Sequence, residues 1–429
     1  MRENAAKPRG NVFVLLLAAL VAACLVARAA HAETTGEAKF RRGIGISHVM
    51  MWAPLEPAPS KNFVFPPFTY SDATFAGELK TLRRTGFDFV RFAVDPGPFL
   101  QWDGPRRDEL TRKLVNTVRL ILSHDLSVIV DFHPSDMHPD YLGTRIAAGP
   151  DAPMFKDYLR LLTRTAASLN ALQSSQVALE LMNEPPPRAS AWKPMLDLAY
   201  AAVRKAAPKL LLVLDGGEEG NLDGTITLDG YRDDPNVLFS FHYYRPWQFT
   251  HQGMAGMAAQ YLTDVPYPAR ARPMDESIAA SVAAMADAKL APSELSQTKT
   301  KGRRDLEGYR ASSFDRSHIA RDFDRVARWA REHSVPAQRV ILGEFGVMDG
   351  AQRPGAARQA DRLRWLSDVR EEAEARGFAW AAWVHSGSIG FSLVEREGST
   401  ELDPGVLHAL GFEKMVEPPR VTLPAAPVR

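Results

Sequence analysis

Eight short apolar stretches of β-type composition recur along this chain, with amphipathic helical stretches between them, and no other feature restricts the fold as strongly. The apolar stretches are Gly43 to Ser47, Phe87 to Asp95, Ser127 to His133, Val177 to Glu184, Leu210 to Asp215, Val237 to Tyr244, Arg339 to Gly346 and Phe378 to His385. Helical periodicity occupies Asp72 to Arg84, Arg107 to His124, Met154 to Leu172, Ala191 to Ala206, His318 to His333 and Ala356 to Arg376. The strands are apolar nearly throughout, the pattern of a parallel sheet covered on both faces by helices. Eight of them predict a closed (β/α)8 TIM barrel, which needs about 250 residues and leaves room for insertions in a chain of 429. The alternative is a doubly wound open sheet. Its glycine-rich phosphate turns and Gly-Lys-Ser loop are missing from the sequence.

Two segments break the alternation. His48 to Pro67 turns Pro-rich after Met50, Met51 and Trp52 and reads as a loop after the first strand. Residues Phe249 to Phe314 form a long insertion between strands six and seven, Met- and Ala-rich and then charged through Lys299, Lys301, Arg303, Arg304 and Asp305. So long a segment predicts an ordered excursion over the barrel mouth, or disorder at its basic part. The tail Pro418 to Arg429 reads as a flexible end, so residues 33–417 are expected to form one catalytic domain.

The N-terminus reads as an export signal. Arg2, Lys7 and Arg9 precede the apolar run Val12 to Val26, and Ala30-His31-Ala32 supplies a small-residue cleavage site, giving a signal peptide over 1–32. Val21-Ala22-Ala23-Cys24 also resembles a bacterial lipobox, and cleavage there would leave Cys24 as a lipid-bearing terminus, the one route to a membrane. Either way the mature chain is expected outside the cytoplasm. Cys24 is the only cysteine, so a disulfide framework, a Cys-rich zinc site and an iron-sulfur cluster are excluded. The formal charge is +1; loss of residues 1–32 removes four basic residues and one acidic one, leaving −2. A nucleic-acid partner has no electrostatic support, and no obligatory protein partner is evident.

Chemistry becomes legible at the strand ends, because the carboxyl ends of barrel strands open into one shared mouth. Glu184 ends strand four in Leu181-Met182-Asn183-Glu184-Pro185, and Glu344 ends strand seven in Gly343-Glu344-Phe345-Gly346. An unpaired charge beside a buried run is costly, so each needs a reason to be there. Alone, either could be a structural ion-pair partner. Together they supply the two carboxyl groups of glycosidic bond cleavage: one protonated to release the leaving sugar, one ionised toward the anomeric carbon.

At these positions the chain resembles the cellulase-like enzymes of glycoside hydrolase family 5, from Gly43 to about Leu410. Asn183-Glu184-Pro185 resembles the family's strand-four Asn-Glu-Pro, whose glutamate is the acid/base, and Glu344 its strand-seven nucleophile. His242-Tyr243-Tyr244 matches the family's His-X-Tyr. Arg91, His133 and Trp383 resemble its strand-two arginine, strand-three histidine and strand-eight tryptophan. The resemblance implies a secreted, retaining, cofactor-independent hydrolase of a β-linked polysaccharide, foremost an endo-β-1,4-glucanase. A β-mannanase or an exo-β-glucanase or transglycosylase on the same fold is the alternative.

Physical roles follow. Arg91 and Tyr244 can hold the Glu344 carboxylate through charge and hydrogen bonding. A neighbouring negative charge would keep Glu184 protonated until Glu344 is esterified. Asn183 can bind the sugar 2-hydroxyl, His133 and His242 can bond hydroxyls or orient the acid, and Trp383 offers a stacking face. Trp52 and Trp247 are further stacking candidates, whereas Trp380 reads as core, Glu180 as a buried ion-pair partner, and Glu218 and Glu219 as loop charges.

Three rivals stand beside this reading. Asp131, His133, Asp136 and His138 concentrate donors for a metal-dependent hydrolase, but their spacing matches neither a His-X-X-X-His nor a His-X-His pair. A catalytically inactive carbohydrate-binding protein would not need both glutamates. A serine hydrolase would need a Gly-X-Ser-X-Gly elbow after a strand, which the sequence lacks.

Overall fold

The computed structural model describes residues 39–412 except 258, 351–354, 388–389 and 397–398. The export signal, Cys24 and the tail from Pro418 lie outside the described residues. Eight parallel strands, β1 (Arg42–Met50), β2 (Phe89–Val94), β3 (Ser127–Phe132), β4 (Val177–Glu180), β5 (Leu211–Asp215), β6 (Val237–Tyr243), β7 (Val340–Phe345) and β8 (Ala379–Ala382), pair in chain order and close into a barrel. The doubly wound alternative is thereby eliminated.

Period-two alternation along each strand sorts side chains between two cores. Val90, Val128, Leu179, Leu212, Phe239 and Leu342 face outward into the large core beneath the helices. Phe89, Ile129, Ala178, Val213, Leu238 and Ile341 face inward and fill the barrel's lower layer. Two residues further along four of these strands the inward position is polar: Arg91, Asp131, Glu180 and Asp215. Alternation therefore stacks a charged layer directly on an apolar one, immediately below the mouth.

Helices α1 (Asp72–Thr85), α2 (Gly104–Leu122), α3 (Pro153–Asn170), α4 (Ala189–Ala206), α5 (Met274–Asp287), α6 (Pro292–Ser312), α7 (Arg316–Glu332) and α8 (Gln359–Ala375) carry the rest, with short helical turns between some of them. Their boundaries have local causes. Ser71 caps α1 by accepting from the Thr74 amide, Gly86 closes it in the left-handed region at φ 112°, and Phe75, Leu79 and Leu82 form its buried stripe.

Of the two alternatives for the insertion after β6, its described residues take the ordered one. Its basic stretch Lys299 to Asp305 is not disordered but lies within α6, which packs on α5. The segment just before α5 is anchored on α8, where Arg272 pairs with Asp361 at 2.6 Å and the Tyr267 hydroxyl donates to Asp368 at 2.8 Å. The insertion's first turn reaches the site: Thr250 donates to the Tyr244 carbonyl at 2.6 Å and the His251 ring meets the Tyr244 ring edge-on. Among the described residues no helix is long and apolar enough to cross a membrane.

Candidate active site

The barrel mouth brings all eight predicted site residues together. Arg91, on β2 and wholly buried, is the hub. Its Nε and Nη2 grip Glu180 at 2.8 and 2.5 Å, Nη1 donates to Glu344 Oε1 at 2.5 Å, and Nη2 also reaches Asn183 Oδ1 at 2.7 Å and Asp131 Oδ2 at 3.0 Å. The second Glu344 oxygen accepts from the Tyr244 hydroxyl at 2.8 Å. Both oxygens of one carboxylate are thus held by a fixed cation and a phenol, an arrangement that aims the carboxylate and leaves it few ways to rotate.

Glu344 reaches the mouth through a strand irregularity. The β6–β7 register shifts between Phe241 and His242, so His242 pairs with Glu344 where regular pairing would place residue 343. Gly343 permits this close approach: a Cβ there would fall 2.5 Å from Ser240 Oγ and 2.9 Å from His242 Nε2.

Glu184 is placed differently from the sequence expectation. Strand β4 ends at Glu180, so Glu184 stands in the loop beyond it, with φ 43° in the left-handed region. Such a backbone costs a non-glycine residue about 1 kcal/mol or more and persists where surroundings enforce it. Those surroundings are visible. The Glu218 and Glu219 amides donate to the Pro187 and Pro185 carbonyls, and Gly220 packs against Glu184 itself. Glu218 and Glu219 are exposed loop residues, as read from the sequence.

The acid is oriented by His242, whose Nδ1 lies 2.9 Å from Glu184 Oε1. Burial in the mouth pushes the Glu184 carboxyl up to about 7; His133 and Arg91 oppose this, and the Glu219 and Glu180 charges add to it. The sequence reading assigned that role to a neighbouring charge; desolvation is the larger cause. Burial also takes His242 down to about 4, so its ring is neutral near neutrality. One oxygen of Glu184 and one of Glu344 lie within 4.8 Å of each other, with His242 beside both.

His133 and Asn183 form a second chain. His133 Nδ1 donates to Asp131 Oδ2 at 2.8 Å, which leaves Nε2 to accept from Asn183 Nδ2 at 3.0 Å, while Arg91 claims Asn183 Oδ1. This fixes the histidine tautomer and the amide orientation and leaves Asn183 one free N–H. His133 therefore orients Asn183 and not the acid.

The aromatic expectations need adjustment. Trp383, just beyond β8, stacks on His133 at 5.2 Å and is only 6% exposed, so it forms a wall of the site more than an open platform. Trp247 is half-buried and stacks on His251 at 5.5 Å. Trp52 is half-buried beside the Trp383 cluster, and Trp380 is fully buried.

The four candidate metal donors do not converge. Asp131 and His133 are engaged by Arg91 and Asn183, Asp136 is exposed, and the His138 ring packs on Phe63 at 5.0 Å. Sequence reasoning passed over Asp215, which ends β5 directly beneath His242. The available signal was a carboxylate closing the apolar run Leu210 to Leu214.

Residues 58–388 match the family model Cellulase (glycosyl hydrolase family 5). Among curated proteins, the chain is 25% identical to cellodextrinase A of Ruminococcus flavefaciens over 178 residues, 41% of this chain and 53% of that protein. It is 23% identical to endoglucanase 3 of Fibrobacter succinogenes over 357 residues, 78% and 48% of the two. The chain spans about half the length of these curated relatives. Solved structures share the fold. A hyperthermophilic endo-β-1,4-glucanase in complex with substrate aligns with TM-score 0.62 at 21% identity, over 88% of this chain and 98% of that one. Thermotoga maritima Cel5A in complex with cellobiose aligns with TM-score 0.61 at 18% identity, over 88% and 99%. A closed eight-stranded barrel, an acidic pair at its mouth and a family match across most of the sequence agree, and the chain belongs to the cellulase family, glycosyl hydrolase family 5.

Proposed function

We propose that this protein hydrolyses β-1,4-linked glucan in endo fashion by double displacement, with Glu344 as nucleophile and Glu184 as acid/base. The carrying observation is the pair of carboxyl groups with oxygens within 4.8 Å and opposite surroundings. Retaining glycosidases hold their carboxyls about 5–5.5 Å apart, whereas inverting ones need about 6.5–9.5 Å to admit a water between the general base and the sugar.

The steps follow from the geometry. The sugar's 2-hydroxyl meets the free Asn183 N–H. Glu344, steadied by Arg91 and Tyr244, attacks the anomeric carbon as Glu184 delivers its proton to the leaving oxygen. A covalent glycosyl ester forms and the leaving sugar departs. Glu184, now a carboxylate beside His242, takes a proton from water, which attacks the ester and restores Glu344. Loss of the Glu344 charge on esterification plays a smaller part in lowering Glu184 than the sequence suggested, because burial dominates its shift.

The relatives named cellodextrinase and endoglucanase support a β-1,4-glucan substrate. Thermotoga maritima Cel5A, a fold neighbour, has also been solved with mannotriose, which keeps mannan as the substrate to test against glucan. The N-terminal pattern supports export of the mature protein, soluble after cleavage at Ala32 or lipid-anchored through Cys24; intact mass of the exported chain separates the two.

Product profiling on carboxymethylcellulose, mixed-linkage β-glucan, mannan and laminarin tests the proposal, with the anomer of the first product followed by NMR. A rapid viscosity drop and β-anomeric cello-oligosaccharides are expected. Release of α-anomers would overturn double displacement, and turnover of mannan alone would overturn the glucan assignment.

A further inference from the structure

Beneath Glu184 and around Glu344 lies a buried layer of ionisable groups, of which Glu180 and Asp215 take no part in the steps above. Asp131 on β3, Glu180 on β4, Asp215 on β5 and Glu344 on β7 surround a single guanidinium, Arg91 on β2, and the neutral ring of His242 on β6 roofs the cluster. Four carboxylates against one cation would leave uncompensated charge in a low-dielectric interior, which proteins avoid by keeping protons. Three of the four touch Arg91: Glu180 and Glu344 at 2.5 Å, Asp131 at 3.0 Å. No such contact with Arg91 is seen for Asp215, one oxygen of which lies within 4.8 Å of Glu180 and His242.

The unsatisfied atoms point to the same residue. Both Asp215 oxygens, Ser240 Oγ and His242 Nε2 are buried without a hydrogen-bond partner; Asp131 Oδ1 is unpartnered too, but its other oxygen is held by Arg91 and His133. Asp215 and Glu180 face each other as two acceptors, and one proton between them turns that repulsion into a hydrogen bond. Above them, His242 Nε2 stands 4.0 Å from Asp215 Oδ1 while Nδ1 stands 2.9 Å from Glu184.

We infer that Asp215 carries a proton in the folded enzyme, shares it with Glu180, and acts as a positioning residue that holds His242 with Nδ1 free to accept a hydrogen bond from the protonated Glu184 carboxyl. The inference rests on the hydrolytic reading above for its consequence, though not for the proton itself. Its electrostatics are consistent: burial, then the Glu180 charge, drive Asp215 well above the ordinary carboxylate range, whereas Arg91 overrides burial and holds Glu180 below it. With that proton in place, a chain of neighbours within 4.8 Å of one another runs under the floor from Glu184 through His242, Asp215 and Glu180, and Arg91 links Glu180 to Glu344.

Infrared difference spectroscopy of the full chain tests this, comparing wild type with Asp215→Asn, which mimics a protonated carboxyl in shape and charge. The wild type should show a protonated-carboxyl stretch, lost in Asp215→Asn, that persists between about pH 5 and pH 8. Asp215→Asn should keep kcat/KM for β-glucan within about threefold, while Asp215→Ala, which removes the support beneath His242, should lower kcat about tenfold with little change in KM. Rescue by the isostere separates positioning from bulk destabilisation. No stretch lost in Asp215→Asn, or a loss of activity in Asp215→Asn as large as in Asp215→Ala, would overturn the inference. A wild type that cleaves no β-glycan yet keeps the stretch would instead overturn the hydrolytic reading and leave the shared proton standing.

Discussion

One oxygen of Glu184 and one of Glu344 come within 4.8 Å of each other, although the two residues stand 160 positions apart in the chain. That proximity gives the carboxyls separable tasks. Removing the nucleophile should abolish turnover on every substrate, by at least about 10,000-fold for Glu344→Ala. Removing the acid should matter only where the leaving group needs a proton. Glu184→Ala is therefore expected to lose about 100- to 10,000-fold on cellotetraose while retaining far more activity on dinitrophenyl cellobioside. Steady-state kinetics on both substrates check this, and equal losses on the activated substrate would reverse or undo the assignment.

Activity should also report the acid's environment. Burial raises Glu184 to about 7, and the first step needs it protonated, so kcat/KM should fall as pH rises above about 7. His242, lowered to about 4, is already neutral there and adds nothing to this limb. A pH profile of the wild type checks the position of the limb. Its appearance near pH 4.5 would mean that the carboxyl is not shifted.

The same group sets a stability difference whose sign can be worked out. Folding raises Glu184 from 4.5 to about 7, so between those values the folded chain binds a proton that the unfolded chain has lost. Stability from this group is present below about 4.5 and is lost as pH rises through 7. Glu184→Gln cannot lose it. The Tm of Glu184→Gln minus that of wild type should therefore grow between pH 4.5 and 8, as differential scanning fluorimetry would reveal; a flat or falling difference would contradict the shift.

Arg91 should be structural as well as functional. It is fully buried and pairs with Asp131, Glu180 and Glu344. Arg91→Met would strand these carboxyls without a cation, and breaking a buried pair from one side costs about 3–5 kcal/mol. Urea unfolding should show a loss of that size together with loss of activity. Arg91→Lys should recover part of the stability and little of the activity, since an ammonium cannot bridge two carboxylates and Asn183 in one plane.

The barrel, its eight strands and the polar residues at their ends follow from the sequence alone, because alternation of strands and helices and inward-outward periodicity are local properties of a chain. Glu184 and Glu344 were legible for the same reason, since each stands at or just beyond the carboxyl end of an apolar run; Arg91, His133, Asn183, His242, Tyr244 and Trp383 were legible only through their resemblance to the family's motif positions, Arg91 standing within β2 itself. Packing decided the rest. Where β4 stops, how the β6–β7 shift turns Glu344 inward, and which face of Trp383 is covered depend on neighbours distant in sequence. Asp215 illustrates the limit. In sequence it is one carboxylate after Leu214; in the barrel it lies among Glu180, Ser240 and His242, without the arginine contact that Asp131, Glu180 and Glu344 enjoy. Whether a carboxyl keeps its proton is set by the charges and solvent within a few ångströms, and only the tertiary structure brings those together.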